Sequence, residues 1–271
     1  MTEASGIVRI LFISDIVGKP GRRILRERLA ESMAEHNVDF CVANGENAAG
    51  GVGLTGEVAD ELFRVGVQVL TSGNHIWGKR EILDLIPVEP RILRPANYPP
   101  GTPGRGAHVY QASRGVRVGV LNLFGRVFSP FPLDCPFRAA TEQVERLRAE
   151  TPVILVDMHA EATSEKIAMG WFLDGQVSAV LGTHTHVQTC DERILPGGTA
   201  YITDVGMTGP WVSVIGVKRD LAIQRFLTAL PQRFEPASGP AQLNAVFLTV
   251  DGETGRALSI ERIRIEEPAP T

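Results

Sequence analysis

The sequence predicts an α/β protein built on a parallel sheet. Three apolar, β-branched runs, at residues 7–14, 38–43 and 67–71, are separated by segments of helical periodicity. That order reads as consecutive strand–helix–strand units. The composition agrees: of 271 residues, 44% are hydrophobic and 21% charged, enough apolar material for a large core without disulfide staples.

In chain order, IVRILFIS at 7–14 reads as a buried strand. Residues 22–36 carry Ile24, Leu25, Leu29 and Met33 at helical spacing, and VDFCVA at 38–43 is the second strand. Thr55 is placed to cap a helix through Val58, Ala59, Leu62 and Phe63, and Gly66 stands where helices commonly end. Residues 67–71 form the third strand. YPPGTPGRGA at 98–107 consists of turn formers and reads as a loop. Strands follow at 108–112 and 116–123, then a Pro-rich loop at 128–138 and a short polar helix at 141–150. Strands at 153–158 and 177–181 flank a helix at 163–173. The last third reads as β-rich, with strands at 199–203, 213–217, 221–227, 245–250 and 258–265, and with EEPAPT at 266–271 as a frayed tail. With no internal repeat or linker, one domain over 1–271 is expected.

The formal net charge of −4 argues against bulk electrostatic capture of DNA or RNA, while leaving room for a small phosphate held by a few local groups. Cys41, Cys135 and Cys190 are odd in number, far apart and form no C-x-x-C pair. They read as buried free thiols of a reducing compartment rather than a disulfide framework or zinc knuckle. The opening MTEASGIVRILFISD has no basic segment, and its apolar run is too short for a signal peptide or membrane span. The expectation is a soluble, cytoplasmic protein with no membrane and no long nucleic acid as partner.

The chemistry gathers at the strand ends. Asp15 follows the first run, Asn44-Gly45-Glu46-Asn47 the second, and Ser72-Gly73-Asn74-His75 the third. His159 follows 153–158, and Gly182-Thr183-His184-Thr185-His186 follows 177–181. In an open α/β sheet the carboxyl ends of parallel strands share one edge, and ligands bind there. Singly, each residue has an ordinary explanation: Asp15 as a turn cap, Asn74 as a turn residue, His159 as a hydrogen-bonded histidine. Jointly they place carboxylate, amide and imidazole at one edge. That mixture suits Mn, Fe or Zn better than Mg or Ca, and there are more donors than one ion needs. Two ions about 3.5–4 Å apart form the usual clamp for phosphoester hydrolysis.

The ordered blocks Asp15, Gly45-Glu46-Asn47, Gly73-Asn74-His75, His159 and His184-Thr185-His186 resemble the calcineurin-like metallophosphoesterases. Two departures narrow the resemblance: Val17 stands where that superfamily has the histidine of D-x-H, and Glu46 replaces the bridging aspartate. With SDIVGKPGR, NGENAAGG, TSGNHIW, RPANYP, THTHVQT and TDVGMTG, the chain resembles the YmdB-like branch. The resemblance implies a four-layer α-β-β-α sandwich of two mixed sheets flanked by helices. It also implies a phosphodiesterase acting on small phosphodiesters, 2′,3′-cyclic nucleotides such as 2′,3′-cyclic AMP foremost. Asp15, Asn47 and His186 would hold one ion, Asn74, His159 and His184 the other, and Glu46 would bridge them. Fe or Mn is expected ahead of Zn or Mg. A metal-bridging hydroxide would attack phosphorus, and His75 would act as general acid. A phosphomonoesterase, a nuclease, or a regulatory nucleotide-binding protein without turnover would use the same residues. Self-association is open, since the strand-rich C-terminal half offers an edge.

Other candidates are weaker. Asn97 and Tyr98 are candidate contacts to base or phosphate, with a Pro- and Asn-rich turn as the alternative. Arg126 follows a strand and is a candidate phosphate contact or a plain surface arginine. Asp204 is a candidate support for a ligating histidine. Gly51 to Gly56 form a G-x-G-x-x-G, but it starts eight residues after Ala43 and no acid ends the next strand, which excludes a dinucleotide fingerprint.

Overall fold

A computed structural model describes residues 6–269; the first five residues of the segment read above for a leader and the last two residues of the tail lie outside it. The first sheet holds β1 (Ile7–Ile13), β2 (Asp15–Ile16), β3 (Phe40–Asn44), β4 (Val69–Thr71), β11 (Met207–Pro210), β12 (Ala241–Asp251) and β13 (Ala257–Glu266). The second holds β5 (Ala107–Gln111), β6 (Arg117–Phe124), β7 (Ile154–His159), β8 (Ala179–Thr183), β9 (Arg193–Ile194) and β10 (Ala200–Ile202). The helices are α1 (Gly18–Glu35), α2 (Gly56–Arg64), α3 (Ile82–Leu85), α4 (Pro136–Arg148), α5 (Thr163–Phe172) and α6 (Arg219–Thr228).

Both sheets are mixed. β1, β3 and β4 run parallel, as do β6, β7, β8 and β10. Antiparallel partners complete each sheet: β12 lies between β1 and β13, and β5 lines β6. The strands read as continuous apolar runs because both faces are covered. Along β1, Ile10 and Phe12 join Phe40 and Val42 against Val118, Val120, Leu155 and Leu181 of the other sheet. The alternate residues Leu11 and Ile13 face Ile24, Leu25 and Leu29 of α1 and Leu62 of α2. On the far side, Leu121, Leu123, Ile154 and Val156 pack on Val144 and Leu147 of α4 and Met169 of α5. The expected four-layer α-β-β-α sandwich is therefore present. Each fully buried aliphatic in these cores contributes roughly 1.5–3 kcal/mol.

The α/β portion matches expectation within a few residues, and Thr55 caps α2 by accepting from Val58 N at 3.3 Å. The C-terminal third departs from it. Residues 221–227 belong to α6, not a strand: Ile223, Phe226 and Leu227 recur at helical spacing on one face, and that face is turned outward, with Phe226 83% exposed. Residues 213–217 form a turn in which Ile215 adopts φ 47°. The loop at 128–138 ends early because Pro136 opens α4 at the first helical position, where its missing N–H is harmless. The tail is not frayed at its start: Glu266 closes β13, and Glu267 exchanges backbone and side-chain bonds with Ala241. Of the cysteines only Cys41 is buried; Cys190 is exposed. Among the described residues no helix is long and apolar enough to cross a membrane.

Removing the Thr55 cap leaves an orphan N–H at the start of α2. Thr55→Ala is expected to lower unfolding free energy by about 1 kcal/mol, measured as a shift in urea midpoint at unchanged slope.

Candidate metal centre

The parallel strands of both sheets end at one edge, and seven of the residues singled out from the sequence meet there. Asp15 reaches it because the chain leaves β1 at Ser14, whose N–H and hydroxyl are both held by Asn244 O at 3.1 and 2.8 Å. β2 then pairs with β11. One Asp15 oxygen accepts from His184 N at 3.1 Å; the other, Oδ1, is fully buried with no hydrogen-bond partner and faces His186 Nε2 at 3.8 Å. Glu46 and Asn47 follow β3. Glu46 N donates to Asn44 Oδ1, and Glu46 Oε2 accepts from His75 N at 3.0 Å. Glu46 Oε1 lies 3.2 Å from both His159 Nε2 and Asn47 Nδ2. Asn74, after β4, puts Oδ1 at 3.0 Å from His159 Nε2.

Each inward histidine has one nitrogen engaged by an outer partner. His186 Nδ1 donates to Ile215 O at 2.9 Å, His184 Nε2 to Glu161 Oε2 at 3.0 Å, and His159 Nδ1 to Thr183 Oγ1 at 2.8 Å. His186 Nε2, His184 Nδ1 and His159 Nε2 are thereby turned to the centre. His184 Nδ1 and His159 Nε2 stand 3.1 Å apart. The loop carrying two of these rings is bent by force: His184 and His186 have φ of 98° and 64°, a conformation that side chains other than glycine rarely adopt. Asp204 holds the bend. Its Oδ2 accepts from Thr185 N, Thr185 Oγ1 and the fully buried Lys166 Nζ, at 3.0, 2.7 and 2.7 Å.

The donor set fits cations. A buried orphan oxygen, crowded inward nitrogens and the open side of Gly73 all point into one space. A Cβ on Gly73 would lie 2.2 Å from His159 Nε2 and 2.6 Å from Glu46 Oε2. The groups divide into two clusters sharing Glu46: Asp15, Asn47 and His186 on one side, Asn74, His159 and His184 on the other. Glu46, His159 and His184 alone already bring one ligand atom each within 4.8 Å of one another.

Without a cation the charges are ill-matched. Burial raises the Asp15 carboxyl to about 6 against the pull of His186 and His159, so its ionised form is about 3 kcal/mol less favourable than that of a free carboxyl. Burial opposes both ionised forms of the Glu46–His159 pair, but their mutual attraction prevails. It lowers Glu46 to about 2 and, with Asp15 and Asp157, raises His159 to about 9. Burial and then the His159 charge push His184 down to about 3. Burial also lowers His75, against the attraction of Glu46.

The weaker candidates lie elsewhere in role. Asn97 is buried and its amide is fully engaged: Nδ2 donates to Phe124 O and Asp134 O, and Oδ1 accepts from Phe124 N. It braces the 124–134 loop and is not free to touch substrate. Tyr98 is half-buried, edge-on to Trp77 at 5.7 Å. Arg126 is exposed, and its backbone N–H is held by Glu165. Gly51 and Gly53 pack their loop against Pro236 and Lys79 rather than framing a phosphate. Sequence reasoning passed over Thr183 and Asn44, which look like ordinary strand residues until their partners are known.

Asp15 and His159 hold protons more tightly in the folded, metal-free chain than in the unfolded one. The stability each contributes is complete below its unfolded value, 3.8 or 6.5, and is lost as pH rises through about 6 or about 9. Glu46 behaves oppositely, contributing above 4.5 and losing that as pH falls through about 2. The lowered His184 and His75 act against Asp15 below 6.5, since the unfolded chain binds their protons more readily there. Chelator-treated protein is thus expected to lose stability between about pH 6.5 and 9, read as urea midpoints. A flat profile contradicts the assignment.

The model of the YmdB-like protein family matches residues 11–263. A Bacillus subtilis 2′,3′-cyclic-nucleotide 2′-phosphodiesterase is 50% identical over 260 residues, 96% of this chain and 98% of that protein. A solved hypothetical protein from Thermus thermophilus superposes with a TM-score of 0.88 at 44% identity, over 96% of this chain and all of that one. A phosphatase from Mycoplasma pneumoniae gives 0.91 at 36% identity, over 97% and 95% of the two chains. On this match over nearly its whole length, the chain belongs to the YmdB-like family.

Proposed function

We propose that this protein is a metal-dependent phosphodiesterase that opens 2′,3′-cyclic nucleotides. The carrying observation is the convergence of Asp15, Glu46, Asn47, Asn74, His159, His184 and His186 on one edge, in a chain half identical to an enzyme named for that reaction. Asp15, Asn47 and His186 would hold one ion and Asn74, His159 and His184 a second, with Glu46 between them. The mixed oxygen and nitrogen donors favour Fe or Mn. Bound there, two cations would supply a water acidic enough to attack at neutral pH and would neutralise phosphoryl charge.

The chain's own contribution to the departing group is His75. Its side chain is 40% exposed, at the mouth of the centre. Nδ1–H is held by Asn47 Oδ1 at 2.7 Å, which leaves Nε2 for substrate. Burial keeps the ring neutral in the free protein; a bound phosphodiester anion acts in the opposite direction and favours a proton on Nε2. As hydroxide adds to phosphorus and the P–O2′ bond breaks, His75 gives that proton to O2′. The product is a nucleoside 3′-phosphate. Cleavage of the 2′ ester is carried over from the printed name of the Bacillus enzyme. The net negative charge fits a small substrate in a cytoplasmic setting better than long nucleic acid.

Wild-type protein loaded with Mn or Fe is expected to hydrolyse 2′,3′-cyclic AMP, and bis-p-nitrophenyl phosphate faster than the monoester. Binding of the cyclic nucleotide without turnover would instead mark a regulatory receptor, and preference for the monoester a phosphatase. His75→Ala should lower kcat by about 10²- to 10⁴-fold with metal content by elemental analysis unchanged.

A further inference from the structure

Beneath the centre, between the two sheets, lies a carboxylate that the functional reading does not use. Asp157 sits on β7 two residues before His159, so the two side chains share a face. It is fully buried, as are Thr71, Asn44 and Thr183 around it. Three donors converge on it from three strands. Thr71 Oγ1 of β4 and Asn44 Nδ2 of β3 reach Oδ2 at 2.5 and 3.0 Å. Thr183 Oγ1 of β8 reaches Oδ1 at 2.6 Å.

Two of these donors have a second end, and each second end meets a residue of the candidate centre. A threonine hydroxyl has a single proton. Thr183 gives its proton to Asp157, so towards His159 Nδ1, 2.8 Å away, its oxygen can only accept. That direction keeps a hydrogen on Nδ1 and leaves Nε2 as the inward nitrogen, the one whose proton a cation would displace. Asn44 works likewise: Nδ2 donates to Asp157, and Oδ1 accepts from the N–H of Glu46 at 3.1 Å. One carboxylate thus governs the imidazole from the second sheet and the acidic residue from the first, whose facing atoms stand 3.2 Å apart.

We propose that Asp157, acting through Thr183 and Asn44, is the positioning residue for His159 and Glu46, and so for the second cation. This rests on the metal-centre reading above. Outer partners of this kind typically change metal affinity by roughly 10- to 100-fold when removed. A carboxylate that merely joins the sheets would affect folding without separating the two ions.

The test compares wild type, Thr183→Val and Thr183→Ser, loaded with Mn²⁺ and followed by titration calorimetry and elemental analysis. Thr183→Val keeps the shape of threonine and removes the hydroxyl link. It is expected to retain one ion with wild-type affinity and bind the other about 10- to 100-fold more weakly; Thr183→Ser should restore both. Two ions held with wild-type affinity by Thr183→Val would overturn the positioning role alone, whereas a wild type that takes up no ion would overturn the metal reading beneath it. A second measurement stands if the valine variant does not fold. The wild-type imidazole spectrum, assigned with His159→Gln, should show a His159 Nδ1 proton protected from solvent exchange, and its absence refutes the link.

Discussion

Two buried carboxylates of the centre, Asp15 and Glu46, lack a permanent cation, and the rest of the functional edge follows from that. Among the described residues the buried lysine and arginine are Lys166 and Arg94. Lys166 is paired with Asp204, and Arg94 donates to the carbonyls of Pro95, Thr102, Pro103 and Gly104. Asp15 and Glu46 are left to imidazoles. A protonated His159 answers Glu46, but Asp15 Oδ1 still has no hydrogen-bond partner. Such an arrangement is a poor way to stabilise a fold and a good way to reserve a place for divalent charge.

Precision in that place comes from the contact of two sheets. Asp15, Glu46, Asn47 and Asn74 arrive from the first sheet; His159, His184 and His186 from the second. The core packed between them, with Phe12 and Phe40 against Val120 and Leu155, sets how far apart these groups stand. Interiors packed at this density resist small displacements, so a substitution deep in that layer would reach the ligands without touching them.

Much of this was legible in the chain. Strand ends in an α/β protein share an edge, and the residues there were unusual enough together to be read as ligands. The two-sheet arrangement itself was not readable from periodicity, because strands covered on both faces give no alternation; it came from the ordered motif blocks. Misreadings fell where local pattern is silent. The run Leu221 to Leu227 is too short for its apolar spacing to separate helix from strand, and the strand Met207–Pro210 hides in the glycine-rich TDVGMTG. The bracing residues were invisible for another reason. Thr71, Asp157 and Thr183 are unremarkable by type, and their importance lies in partners more than twenty residues away. Asn97 erred in the opposite direction, since a conspicuous amide two residues after Pro95 turned out to brace backbone.

The placement of β12 bears on how the molecule comes into being. β1 finds its antiparallel neighbour only in β12, where Ile13 aligns with Ala245, and β2 finds its neighbour in β11. A nascent chain that has left the ribosome as far as the histidines at 184 and 186 still lacks the strands that place Asp15. On the proposed metal reading, ion capture by the complete set would therefore be a post-translational event, available only to a polypeptide whose last strands have already inserted.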